Sequence, residues 1–202
     1  MSNQQALWDA RYAAADYLFG TEPNAYLASQ AHRLVPGQRA LAVGDGEGRN
    51  AVWLAARGLA VTLVDISPVG IEKARRLAEQ HECRIETIAA DLTRWDWPEG
   101  AFDLAVEIFV HVPVADRRHI HRAMAASLRP GGLALVEAFQ KGQADRASGG
   151  PRAAPLLYDA TALAEDFAAL ETLELLGGTV LLAEGAKHRG PAAVVRYLGR
   201  RT

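Results

Sequence analysis

From residue 39 onward, short and nearly unbroken apolar runs alternate with longer stretches in which apolar positions recur every three or four residues. The runs "RALAV" (39–43), "LAVTLVD" (59–65), "RIETIAAD" (84–91), "AFDLAVEIF" (101–109) and "LALVEAF" (133–139) predict buried strands. Between them, helical periodicity is predicted over 49–58, stopped by Gly58, and over 67–82. In the latter, Ser67 is placed to cap the helix, Pro68 takes the first helical position, and Ile71, Ala74, Leu77 and Ala78 share one face. A further helix over 114–132 is expected to end at Pro130, with Gly131 and Gly132 turning the chain. Strands joined by helices of this length require crossover connections, so the fold class is α/β with a mostly parallel sheet covered on both faces.

The two ends of the chain follow different patterns. Residues 1–35 form a polar lead studded with aromatics, and 140–155, "QKGQADRASGGPRAAP", is rich in Gly, Pro, Ser and Ala, which predicts a mobile, lid-like loop. Beyond it, a helix over 161–170 precedes two further apolar runs, 171–185 and 192–199, joined by "AKHRGP". These complete seven strands as a C-terminal antiparallel hairpin at the sheet edge. With 202 residues, half of them hydrophobic, the chain is read as one domain spanning 1–202.

Charge narrows the partner. A net charge of -2, with both signs scattered along the chain, argues against a sequence-independent grip on nucleic acid and favours a small molecule. The single cysteine, Cys83, has no partner for a disulfide or a zinc knuckle, and no metal site is expected. The N-terminal residues show no basic segment leading into an apolar one, and no apolar run is long enough to span a bilayer. The expectation is therefore a cytoplasmic protein without membrane contact, as a monomer or homodimer.

In an open parallel sheet, ligands bind beyond the carboxyl ends of the strands, near the point where strand order reverses. Here the first strand runs into Gly44-Asp45-Gly46-Glu47-Gly48. The next three end at or near Asp65, Asp91 and Glu107, which places carboxylates along one rim. A lone glycine loop can be nothing more than a turn that needs positive φ. Its position between strand and helix, with an acid 21 residues beyond Gly44 where a ribose diol is held, favours an adenosine ligand. Asp45 and Glu47 raise the electrostatic cost of a pyrophosphate, and Arg49 replaces the last glycine of the dinucleotide pattern. S-adenosylmethionine carries a positive sulfur and amine and no phosphate, so an acidic loop suits it better.

The motifs "GDGEGRN", "LVDIS", "AADL" and "LRPGG", in this order, resemble those of class I S-adenosylmethionine-dependent methyltransferases. The chain is most similar to the small tellurite-resistance-type and thiopurine-type branch through "YLFGTEPNAYL", "GDGEGRNAVWLA", "DISPVGIEKA" and "EGAKHRGPAAVV". The resemblance implies a Rossmann-like core over 36–202, with residues 1–35 as a cap over the cofactor. It further implies S-adenosyl-L-methionine as cofactor, S-adenosylhomocysteine as product, and a small-molecule methyl acceptor. By position, Gly44, Asp45, Gly46, Glu47 and Gly48 form the cofactor loop, with Arg49 and Asn50 opening the helix beneath the methionine moiety. Asp65 takes the ribose hydroxyls, Ile66 and Ser67 follow it, and Asp91 with Leu92 serves the adenine. Glu107 or its backbone faces the amino acid portion, with Phe19 and Gly20 supplied by the cap. Tyr12, Tyr17, Phe109, His111 and Pro113 are expected toward the acceptor. Many relatives carry an acid where this chain has Ala42, so the α-amino contact is expected from Asp45 or Glu47.

His111 and His188 are the candidate bases, in that order, each with a plain alternative: a helix cap for His111 and a turn residue for His188. His119, His121 and the arginines at 75, 76, 117 and 118 are expected on solvated helix faces. A soft acceptor that is already ionised, such as a sulfur, selenium or tellurium compound, needs no base at all. Two other readings stand beside this one: a nicotinamide-dependent oxidoreductase and a non-catalytic S-adenosylmethionine-binding module.

Overall fold

The structure, a computed structural model, describes residues 3–202. The strands are β1 (Arg39–Val43), β2 (Ala60–Asp65), β3 (Ile85–Ala89), β4 (Phe102–Ile108), β5 (Leu128–Phe139), β6 (Glu171–Glu184) and β7 (His188–Arg200). The helices are α1 (Asn3–Tyr12), α2 (Ala25–Ser29), α3 (Arg49–Ala55), α4 (Pro68–Gln80), α5 (Val114–Ser127) and α6 (Ala160–Asp166). Among the described residues the strands form one sheet in the order β3-β2-β1-β4-β5-β7-β6. The first five are parallel, and β7 runs antiparallel between β5 and β6. The α/β, Rossmann-like architecture with a C-terminal antiparallel hairpin is thus the one expected.

Strand alternation builds a core on each face. Leu41 and Val43 pack with Ala105, Ile120, Met124 and Phe167 on one side; Ala40 and Ala42 pack with Leu54, Leu63, Ala74 and Leu104 on the other. Ser67 caps α4 by accepting from Gly70 N at 3.1 Å, with Pro68 at the first position. Gly48, at φ +86°, lets α3 and α4 approach closely, since a Cβ there would lie 2.5 Å from the Ala74 Cβ. Chain order reverses between β1 and β4, which places the ligand crevice above their carboxyl ends.

Several features differ from expectation. Helix α5 ends at Ser127 rather than running to Pro130, because the residue before a proline is pushed out of helical geometry and Leu128 already pairs with Phe102. The hairpin turn is only 185–187, and β7 begins at His188. Pro191 fits within β7 because β5 pairs no further than Val194, so its missing N–H faces no β5 carbonyl. The 140–155 segment is tied down rather than free: Gln143 Oε1 accepts from Ala193 N at 2.8 Å, and Ser148 Oγ donates to Pro191 O at 2.7 Å. The N-terminal lead contains α1, which packs against α4. No helix among the described residues is long and apolar enough to cross a membrane.

Candidate active site

The glycine loop leaves β1 through three residues of positive φ, Gly44 (+61°), Gly46 (+53°) and Gly48 (+86°), and wraps the end of β2. Asp65, 5% exposed, accepts from Gly46 N and Ser67 N, both at 2.8 Å, so its carboxylate fixes the loop against α4. Burial pushes its pKa up to about 6 against those two hydrogen bonds, with Asp45 and Asp9 adding to the rise.

Beside Asp65 lies a cleft of about 240 Å³ lined by Ile66, Pro68, Ala89, Ala90, Asp91, Arg94 and, from α1, Gln5. Asp91 turns Oδ1 onto Thr93, accepting from its N at 2.9 Å and its Oγ1 at 2.7 Å. Leu92 is buried at the inner side, within 3.7 Å of where a Gly44 Cβ would sit. A slot with Ile66, Pro68, Ala89 and Ala90 on its walls, Asp91 at one neighbouring strand end and Asp65 just behind Ile66 at the other, has the shape and chemistry of a nucleoside site.

The acids of the loop do other work than expected. Asp45 caps α3, accepting from Asn50 N (3.1 Å), Ala51 N (2.8 Å) and Asn50 Nδ2 (2.6 Å). Its pKa is also raised by burial to about 6. Glu47 forms an ion pair with Lys73 at 2.5 Å and accepts from Leu18 N at 2.7 Å. Arg49 is turned away to Glu184, Nη2 to Oε2 at 2.7 Å, and leaves Nη1 buried without a hydrogen bond. Asn50 accepts from Asn24 N at 2.9 Å. Helix starts and chain crossings leave backbone N–H groups that need acceptors, and these nearby side chains supply them.

Toward β4 the rim becomes aromatic. Phe109, held at φ +56°, stacks on Phe139 (4.4 Å) and meets His188 edge-on (4.7 Å); Phe19 closes on His188 at 4.5 Å. Gly20 packs on the hairpin turn, where a Cβ would lie 3.1 Å from Gly185 N. Tyr12 is buried against Gly46 and Gly70 rather than facing an acceptor, and Tyr17 donates to Lys73 O at 3.0 Å. Pro113 is exposed and starts α5. His111 is not placed as a base. Nδ1 bonds Leu156 O at 2.8 Å and Nε2 accepts from Phe139 N at 3.3 Å, so the ring is a neutral brace, and burial lowers its pKa to about 4. His188 is buried in the ring cluster with Nδ1 3.9 Å from Glu184 and without a hydrogen bond, and burial lowers its pKa as well.

Residues 40–132 match the family described as a methyltransferase domain. These residues form a methyltransferase domain, which the fold and the relatives support as one of the class I S-adenosylmethionine-dependent kind. The cofactor of this kind is S-adenosylmethionine, which favours that reading over the nicotinamide one. Methyltransferase GfsG of Streptomyces halstedii is 34% identical over 146 residues, covering 69% of this chain and 48% of its own. The chain therefore spans about half the length of that relative. Two solved structures share the fold. One, described as "Conversion of a Disulfide Bond into a Thioacetal Group during Echinomycin Biosynthesis", matches with TM-score 0.80 and 21% identity over 98% of this chain and 92% of its own. The other, N-methyltransferase NodS of Bradyrhizobium japonicum WM9 with S-adenosyl-L-homocysteine, matches with TM-score 0.77 and 17% identity over 99% of both chains.

In this methyltransferase domain the Glu107 side chain does not face the crevice. It is 1% exposed and bonds His121 Nε2 at 3.1 Å, while His121 Nδ1 meets Asp166 at 2.9 Å and Arg117 holds Asp166 at 2.6 Å. Burial alone would lower the His121 pKa, but Glu107 and Asp166 raise it to about 9. His121 and Arg117, expected on a solvated face, are 0% and 4% exposed. Gln5, Lys73, Asn24 and Glu184 join the site without having been singled out. For Lys73 a signal existed: it stands three residues after Gly70 and four before Leu77, on a buried helix face.

Proposed function

We propose that this chain transfers a methyl group from S-adenosylmethionine to a soft, small-molecule nucleophile, a sulfur, selenium or tellurium compound. When bound, the cofactor supplies an electrophilic methyl on a positive sulfur. Asp65 would hold the ribose hydroxyls through lone pairs not used on Gly46 and Ser67, and Ile66, Asp91 and Leu92 would hold the adenine. The loop from Gly44 to Gly48 would pass beneath the methionine portion. Residues 3–20 would exclude water from above, and alignment of acceptor with methyl then contributes most of the rate.

The observation that carries the acceptor class is the aromatic wall of Phe19, Phe109, Phe139 and His188 beside a His111 whose two nitrogens are both engaged. Such a wall suits a polarisable chalcogen, and an ionised one needs no proton acceptor. The fold neighbour described by conversion of a disulfide bond into a thioacetal group supports sulfur chemistry in this scaffold. His188 is the proton acceptor for any acceptor that arrives protonated.

The test is transfer from isotopically labelled S-adenosylmethionine to a panel of thiols, selenols, tellurite, phenols and amines, read by mass spectrometry. Methylated chalcogen products are expected. Products confined to phenols or amines would overturn the acceptor class, and cofactor binding with no product on any acceptor would return the chain to a binding module.

A further inference from the structure

Lys73 lies on α4 and is 3% exposed. Its Nζ reaches the carbonyls of Asp16 (2.7 Å), Ala14 (2.9 Å) and Tyr12 (3.4 Å), and Oε1 of Glu47 (2.5 Å). The other oxygen of Glu47 takes Leu18 N at 2.7 Å. Helix α1 ends at Tyr12, so carbonyls of its last turn and of the chain just beyond lack helical donors, and a cation there is doubly favourable. Apart from the Lys73–Glu47 pair, which ties α4 to the glycine loop, each of these contacts joins α4 or that loop to residues 12–18. None joins Lys73 to the core.

The same segment crosses the whole rim. Gln5 reaches the nucleoside cleft, and Asp9 accepts from Ser67 Oγ at 2.5 Å. Tyr12 fills a space kept open by Gly46 and Gly70; a Cβ on Gly70 would lie 2.9 Å from its ring. We propose that Lys73 and Glu47 form a clasp that holds residues 12–18 down over the cofactor cleft, with Lys73 as its positioning residue. The clasp sets how fast the cleft opens for cofactor exchange. The inference rests on the cofactor reading above only for what the cleft contains.

Arg11, exposed on α1, provides a tryptic site that reports opening. Cleavage after Arg11 in the full chain, followed by intact mass at limiting trypsin, tracks the open population. Lys73→Met is expected to raise that rate about tenfold or more without ligand, and S-adenosylhomocysteine should protect wild type far better than the variant. Because Lys73→Met leaves Glu47 buried without its partner, the Glu47→Gln/Lys73→Met double variant is the second arm. It should recover the melting temperature toward wild type yet keep the fast Arg11 cleavage. Wild-type cleavage rates in both variants would overturn the clasp. Loss of S-adenosylhomocysteine binding by wild type itself in calorimetry would instead overturn the cofactor reading, and the ligand-free cleavage rates would still decide the clasp.

Discussion

The rim of the sheet has two halves that look alike in sequence and differ in structure. At the ends of β2 and β3, Asp91 lines an open cleft of about 240 Å³, and Asp65 lies next to its Ile66 wall. At the ends of β1 and β4, Asp45, Glu47 and Glu107 are each closed onto partners within the chain: the start of α3, Lys73 with Leu18, and His121. A carboxylate at a strand end is thus not by itself a ligand group. In the first half the acids anchor backbone and keep a cavity beside them; in the second they hold together elements that would otherwise come apart.

The strongest challenge to this contrast lies at Glu107. Removing the imidazolium in His121→Ala strands the buried Glu107 carboxylate and leaves Asp166 with Arg117 alone at its buried side, and is expected to cost about 3–5 kcal/mol in urea unfolding. Affinity of the folded protein for S-adenosylhomocysteine should be unchanged, and a large loss of affinity at intact stability would move Glu107 back into the cofactor site. Asp45→Ala is next, since it removes the cap of α3 at a cost of about 1–2 kcal/mol. It should weaken cofactor binding only a few-fold; a hundredfold loss with unchanged stability would make Asp45 the ligand group it was first taken to be.

Titration sharpens the same contrast. Asp45 and Asp65 have folded pKa values raised to about 6, above their unfolded values, so the stability they contribute is full in acid and is lost as pH rises toward and through 6. His121 is also raised, to about 9, and its contribution is full below its unfolded value and lost as pH rises through 9. Urea midpoints of the unliganded chain should therefore show losses from these groups between about pH 4 and 6 and again between about pH 6.5 and 9. Cofactor affinity should move the opposite way over the first interval, weakening below pH 6 as Asp65 takes up a proton. The smallest effect is expected for His111→Gln: with both ring nitrogens used as a brace, the rate at neutral pH should change less than about threefold, whereas loss of a general base costs about 10²–10⁴-fold.

How much of this was legible follows from the distance between partners along the chain. The α/β order, the cap at Ser67, the glycine turn and the acid at position 65 are local patterns, and each stands where the spacing placed it. The engagement of Glu47 depends on Lys73, that of Arg49 on Glu184 and that of His121 on Asp166; only tertiary packing brings these pairs together. A polar residue on a helix reads as solvated until its partner is known. Arg117, Ile120, His121 and Met124 nonetheless share one helix face, and the apolar members of that face were the available warning that the polar ones are buried too.

The most direct test is isothermal calorimetry of S-adenosylhomocysteine with wild type and Asp65→Ala, each checked for a cooperative melt. The account predicts tight binding to wild type and a loss of about a hundredfold in the variant, close to 2.7 kcal/mol. Equal affinities would contradict it, because the nucleoside would then lie elsewhere than the open half of the rim.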